Sequence, residues 1–280
     1  MAAKRKRKKS VWQRASENKG LQKSLVIVMP VLLGLVIFGL WNSEVLHRML
    51  NTDTFTLPLP AKIGDIFSDI SDKMWSNAGA TMTVAGIGLV IGSLLGYLIA
   101  VIASMFPKAG KGGLSVIGAF ASVPVVALAP VISNLTKDIS KDANYRSMVA
   151  KIIVVVLIAA ANMTLNAYRG LTELKPFSED LMATYAAKKR VVLFKLRIPN
   201  SLPYIFTALK VSVPASIMTA IVSEYFAEYI TGVGRQIREN IVLAQYSTAW
   251  AYIMMACILG IGSYAVLMGI QAIVLRKYNR

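Results

Sequence analysis

A succession of long apolar runs, separated by short polar and basic segments, constrains this chain more than any other feature. A helix needs about 20 apolar residues to cross about 30 Å of hydrocarbon. Runs at Ser24–Trp41, Ala78–Phe106, Leu114–Leu135, Val149–Tyr168, Leu202–Ile230 and Ala249–Leu275 approach or exceed that length. The expectation is an all-α polytopic membrane protein with six transmembrane helices. Of its 280 residues, 55% are apolar and 16% charged, and the mean hydropathy is +0.56, which overrules the soluble domains that length alone would allow. The one cysteine, Cys257, lies in an apolar run, so there is no disulfide framework. His47 is the one histidine, which argues against a histidine-based metal or acid–base site.

The net charge is +17, and its placement matters more than its sum. Residues 1–23 carry nine Lys and Arg against Glu17. A cytoplasmic tail drawn to anionic membrane lipid accounts for them better than nucleic-acid binding does. With that tail inside, inner segments also hold two cations at 107–113, seven at 169–197 and three at the C-terminus, against nine in all outer segments. Both termini are therefore expected in the cytoplasm, with the 169–201 loop on the same side. The 24–41 run resembles a signal-peptide core, but no small-x-small site follows in FGLWNSEVL, so it is read as an uncleaved first helix. Residues 42–77 read as an external segment with an interfacial amphipathic helix, since Ile63, Ile66, Phe67, Ile70 and Met74 share one helical face. Residues 78–275 form a five-helix core, and 276–280 a cytoplasmic end.

Within the core, Gly88, Gly92 and Gly96 recur every four residues, a spacing that lets helices approach closely in lipid. Pro107–Gly113 reads as a basic turn; its Gly110-Lys111 lacks the first glycine of a phosphate-binding loop. Pro124 and Pro130 break the third run, and the carbonyls that prolines free must be met inside a bundle or beside a water path. Ser212, Ser216, Thr219 and Ser223 follow 4-3-4 spacing, one hydroxyl stripe along a helix. With Asn162 and Thr164 on the fourth span, and Ser122 and Pro124 on the third, they are candidates for a translocation path. Equally, such hydroxyls satisfy local carbonyls or bridge helices. Glu224 ends the stripe, where it either gates the outer mouth or sits in outer water. Residues 231–247 read as a polar external loop.

The stretch EDLMATYAAKKRVVLFKLRIPNSLP, residues 179–203, is too polar to enter lipid and too apolar to float free. Ser178 can cap a helix whose first turn holds Glu179 and Asp180. Leu181, Met182, Tyr185 and Ala186 recur on one side, and Lys188, Lys189 and Arg190 close the positive end. Pro199 stops the segment that follows, and Asn200 or Ser201 caps a new helix with Pro203 in its first turn. An ordinary loop lying on the membrane surface would fit this pattern. The residues also resemble the signature loop of binding-protein-dependent ABC import permeases of the type I fold: Glu-Ala-Ala, a Gly four residues later, and an Ile/Leu-x-Leu-Pro some dozen residues on. Counting back from Pro199, Asp180 falls on the Glu, Leu181 and Met182 on the two Ala, and Ala186 on the Gly. Ala in place of Gly permits a close crossing and rules out an obligatory positive φ there. The wording DLMATYAA…RIPNSLPYIFTALKV is most similar to the branch that imports nitrate, sulfonates, taurine, pyrimidine precursors and flavin-like compounds.

That resemblance implies a multi-pass permease subunit of an ATP-driven importer in the cell membrane, passing a small solute delivered by an extracytoplasmic binding protein. It implies a second permease chain, identical or related, and two cytoplasmic ABC ATPase subunits. The chain itself would catalyse nothing and bind no cofactor; ATP and Mg would sit on the ATPase. In the ATPase-coupling loop, Asp180 would orient the helix through helix-end hydrogen bonds. Leu181, Met182 and Tyr185 would give apolar contact, and Ala183 and Ala186 a tight turn. Lys188 and Lys189 would pair with acidic groups or lipid phosphate. An ion-coupled secondary transporter is the alternative; it usually shows inverted repeats and mid-membrane ionisable groups, whereas no clear repeat is seen here and the acids sit near span ends.

Overall fold

The computed structural model describes residues 19–227 and 231–278, and among these every regular element is a helix. The start of the basic tail, Glu228 and the last two residues lie outside the described residues. The chain divides into two compact units, residues 1–64 and 65–280.

In the first unit, α1 (Lys19–Asn42) contains Pro30 and is followed by the short α2 (Val45–Leu50). None of the apolar stretch of α1 is buried within the chain, the condition of a helix whose solvent is lipid. The segment after it is tied down by polar contacts. Trp41 Nε1 donates to the Pro58 carbonyl at 3.0 Å, and buried His47 lies with Nε2 2.6 Å from the Leu57 carbonyl. The Asp53 carboxylate accepts the Thr56 N–H at 2.8 Å, which holds its pKa below the usual value. α3 (Pro60–Asp69) carries the expected amphipathic face only in part, because the backbone breaks at Ile70 (φ −111°, ψ 20°). Met74 and residues 71–77 belong instead to the next helix.

The second unit is built on α4 (Ser71–Met105), followed by α5 (Pro107–Ala121), α6 (Val125–Leu135) and α7 (Ala143–Thr172). Then come α8 (Ser178–Thr184), α9 (Lys189–Val192), one π turn (Leu193–Arg197) and α10 (Ile198–Tyr225). The unit closes with α11 (Val233–Val242) and α12 (Tyr246–Tyr278). Its main seam joins α4 to α7, and the glycine stripe makes it. A Cβ on Gly88 would lie 2.5 Å from that of Val155, and one on Gly92 would lie 2.7 Å from the Val156 carbonyl oxygen. Such proximity is what small residues supply where lipid gives no hydrophobic drive between helices. Below this seam Ala100, Met163, Ala167, Leu171 and Ala208 form a buried cluster that brings in α10.

The sequence reading is corrected in several places. The third run is two helices, because Pro124 stands in an extended conformation (φ −61°, ψ 127°) ahead of α6 and the residue before a proline is driven out of the α region. Pro130 lies inside α6 without ending it. Five helices among the described residues are long and apolar enough to span, and α6 is a shorter apolar one. Pro107–Gly113 forms the first turns of α5. α7 starts at Ala143, with the Asp142 side chain accepting the Asn144 N–H at 2.9 Å, an N-cap in a stretch read as loop. The 231–247 loop contains α11, with Val233, Gly234 and Asn240 buried. Val233, Ile237 and Ile241, four apart, were its signal in the sequence.

Candidate functional site

The loop between α7 and α10 is set by hydrogen bonds that cross it. α7 leaves carbonyls unpaired at its C-terminus, as every helix does. Asn200, on the first turn of α10, donates to two of them, Gly170 at 2.7 Å and Glu173 at 3.1 Å. Tyr204 adds a bond to the Glu173 carboxylate at 3.3 Å. Asn200 was expected to cap its own helix; it caps the neighbouring one. Gly170 permits this crossing, since a Cβ there would lie 2.7 Å from the Tyr204 Cβ.

α8 hangs from this frame. Phe177, not Ser178, occupies the N-cap position, in a left-handed conformation (φ 63°) with no side-chain cap bond. At the other end Ala186 is also left-handed, with φ 48°. Its N–H bonds the Ala183 carbonyl at 2.8 Å and the Ala187 N–H bonds the Met182 carbonyl at 3.0 Å, the Schellman arrangement that a glycine usually completes. The expectation that Ala186 rules out positive φ is therefore wrong: the turn keeps its geometry and alanine bears the strain, about 1 kcal/mol.

The acid that orients α8 is Glu179. Its Oε1 pairs with Arg197 Nη2 at 2.7 Å, and Arg197 Nη1 donates to the Ser104 carbonyl at 2.9 Å. One guanidinium thus ties α8, the π turn and the end of α4. Among the described residues, the Asp180 carboxylate makes no hydrogen bond or ion pair. Met182, Ala183 and Lys189 help line a hollow of about 570 Å³, closed by Met105, Phe106 and Leu193. Leu181 and Tyr185 turn the other way, 59% and 77% exposed, beside Phe177 at 82%. The predicted single apolar side is therefore split. Lys188, Lys189 and Arg190 are exposed. Pro199 does not stop the helix: α9, the π turn and α10 run on without a break. The π turn contains Lys195, whose carbonyl the Pro199 ring would crowd in a regular α-helix.

The other candidates separate into two groups. Ser122 and Pro124 are exposed, and Ser122 donates to the Ala119 carbonyl at 2.7 Å. Thr164 lies between the Gly96 and Ala160 carbonyls at 3.0 and 2.7 Å, bridging α7 to α4. The half-buried Asn162 accepts from Asn166 at its carbonyl. By contrast Ser212, Ser216, Thr219 and Ser223 are all buried on α10. The hydroxyls of Ser212, Ser216 and Ser223 have no partner among the described residues. Glu224 is fully buried, which removes the reading of an acid in outer water. Its Oε2 accepts from Thr81 and from the Gly234 N–H, each at 2.9 Å, and Lys151 on α7 is also buried. Sequence reasoning missed Glu179, Arg197, Asn77 and Thr81. No group of three metal-ligating side chains occurs among the described residues.

Among its described residues the second unit is all-helical, with a polar loop stapled across its helix ends. The chain belongs to the family of binding-protein-dependent transport system inner membrane components, which matches residues 88–280. It is thus a membrane subunit of an ABC transporter, not an enzyme. It is 27% identical over 256 residues to the formylaminopyrimidine transport permease protein ThiX of Halalkalibacterium halodurans, covering 91% of this chain and 98% of that one. A probable ABC transporter permease protein of Haemophilus influenzae is 23% identical over 199 residues, 71% of this chain and 77% of that one. Two solved structures share the fold, each matching 75% of this chain and 96% of theirs. One is the MetNI methionine ABC transporter in inward-facing conformations, with TM-score 0.56 and 16% identity. The other is an amino acid ABC transporter with histidines, with TM-score 0.60 and 17% identity.

Proposed function

We propose that the 173–197 loop of this permease docks on a cytoplasmic ABC ATPase and passes its motion to α4 and α10. The observation that carries this reading is the exposure of Phe177, Leu181 and Tyr185 on and beside a short helix that Glu179 ties to Arg197. Exposed apolar groups on a fixed support are what a partner's groove takes up. ATP and Mg belong to that partner, and both termini lie on its side of the membrane. Two permease chains, identical or related, enclose the path, and an extracytoplasmic binding protein delivers the solute. The ThiX likeness makes an aminopyrimidine-type heterocycle the first solute to try. A path along Ser212, Ser216, Thr219 and Ser223 opens when α10 parts from its neighbours, since this conformation buries them all.

The test is co-purification in detergent with a candidate ATPase, comparing the native chain with Leu181→Glu plus Tyr185→Glu. The native chain is expected to retain the ATPase and the variant to lose it while eluting at the same size. Retention by both overturns docking through this face.

A further inference from the structure

We propose that Asn77, Thr81 and Glu224 form a latch that holds α11 against α4 and α10, and that this latch is the external gate of the transport path. The gate rests on the orientation and coupling proposed above; the geometry of the latch does not.

The turn entering α11 presents three successive backbone donors, and a different side chain meets each. Gly232 N–H bonds Asn77 Oδ1 at 2.9 Å, Val233 N–H bonds Thr81 Oγ1 at 3.0 Å, and Gly234 N–H bonds Glu224 Oε2 at 2.9 Å. The Thr81 hydroxyl also reaches Glu224 Oε2 at 2.9 Å, so the three acceptors form one network. The first amides of a helix have no partner within it and are ordinarily met by its own N-cap residue. Here the N-cap is Gly232, which has no side chain to offer, and two other helices do the capping. Gly232 also stands at φ 105°, and a Cβ on it would overlap the Glu224 carboxylate. Two arginines of α11 strengthen the hold: Arg235 donates to the Ala227 carbonyl and Arg238 to that of Tyr225, each at 3.2 Å. The Arg238 guanidinium also lies 5.8 Å from the centre of the Tyr225 ring.

Position turns this cap into a gate. α10 has 28 residues, about 42 Å at 1.5 Å per residue. The 173–197 loop precedes its first residue, and Glu224 stands one residue before its last. α4 is placed the same way, with Ser104 at the loop end and Asn77 and Thr81 at the latch end. Both helices that the loop moves therefore carry one half of the latch. A seam of interlocked glycines and valines yields to a small shift only by clashing, whereas three hydrogen bonds part and reform. Glu224 Oε1 and Ser223 Oγ, both buried and without a partner among the described residues, leave polar groups for the opened state to use.

The test uses the chain assembled with its ATPase in nanodiscs, with Cys257→Ser and spin labels at Trp75→Cys and Val242→Cys, both exposed positions on α4 and α11. Distances are measured by pulsed electron paramagnetic resonance without nucleotide and after trapping with ATP and vanadate. One narrow distance is expected without nucleotide, and a shifted one after trapping. Glu224→Ala is expected to broaden the nucleotide-free distribution, while Glu224→Gln, which keeps an acceptor oxygen, stays like the native chain. An unchanged narrow distance after trapping, in a sample that retains the ATPase, overturns the gate and leaves a static cap. A sample that loses the ATPase instead overturns the coupling reading, and with it an ATP-driven gate.

Discussion

The two ends of α10 solve opposite problems with the same kind of bond. At its start, Arg197, Glu179 and Asn200 hold a loop whose largest apolar side chains face outward. At its finish, the buried Glu224 and Thr81, with the half-buried Asn77, hold α11. Polar bonds in the open can be remade with water and cost little to break, whereas buried donors left without acceptors cost about 1–3 kcal/mol each. The open end therefore suits the docking proposed for it, and the closed end suits the proposed latch.

Substitutions at each end can break or sharpen that contrast. The largest loss is expected from Gly234→Val, because even a Cβ there would overlap the Ile221 backbone. Overpacking of this kind costs about 3 kcal/mol, read as a marked fall in the melting temperature of the detergent-solubilised chain. Thr81→Val comes next. It keeps the shape but leaves the buried Val233 N–H without its acceptor, a loss of about 2 kcal/mol in the same assay. At the open end Arg197→Ala should cost only about 1 kcal/mol, since Glu179 is 55% exposed and solvent screens the pair; its larger effect is on ATPase activity stimulated by the binding protein, which should fall. Ala186→Gly should raise stability by up to about 1 kcal/mol by relieving the left-handed alanine. Tyr185→Ala should change stability by less than about 0.5 kcal/mol yet weaken ATPase binding about tenfold or more in a titration. If Tyr185→Ala destabilised the isolated chain as much as Thr81→Val, the contrast between the ends would fail.

What could be read in the sequence follows the same division. Periodic features were legible because they depend on one helix at a time: the apolar runs, the glycine spacing of α4, the hydroxyl stripe of α10. The loop at 179–203 stood out through its mix of acids, apolar residues and cations between two spans. Features that depend on a distant partner were not legible. Nothing near Asn200 says that its amide reaches back thirty residues to Gly170. Glu179 and Asp180 are adjacent and alike, and only the position of Arg197 selects the first. The left-handed Ala186 hides in a helix-favouring residue, held there by two backbone bonds. Pro124 was noted, but how far it splits the third run depends on the short α6 that follows. α11 passed as loop because its polar residues outnumber the spaced Val233, Ile237 and Ile241.

The most direct measurement is photocrosslinking from a benzophenone amino acid placed at Tyr185 in one sample and at Val242 in another, in membranes that hold the ATPase. Both positions are strongly exposed, at 77% and 74%, so accessibility does not separate them. The ATPase should crosslink from position 185 and not from 242. Crosslinks from both positions, or from neither while the ATPase remains bound, would contradict the assignment of the 173–197 loop as its docking site.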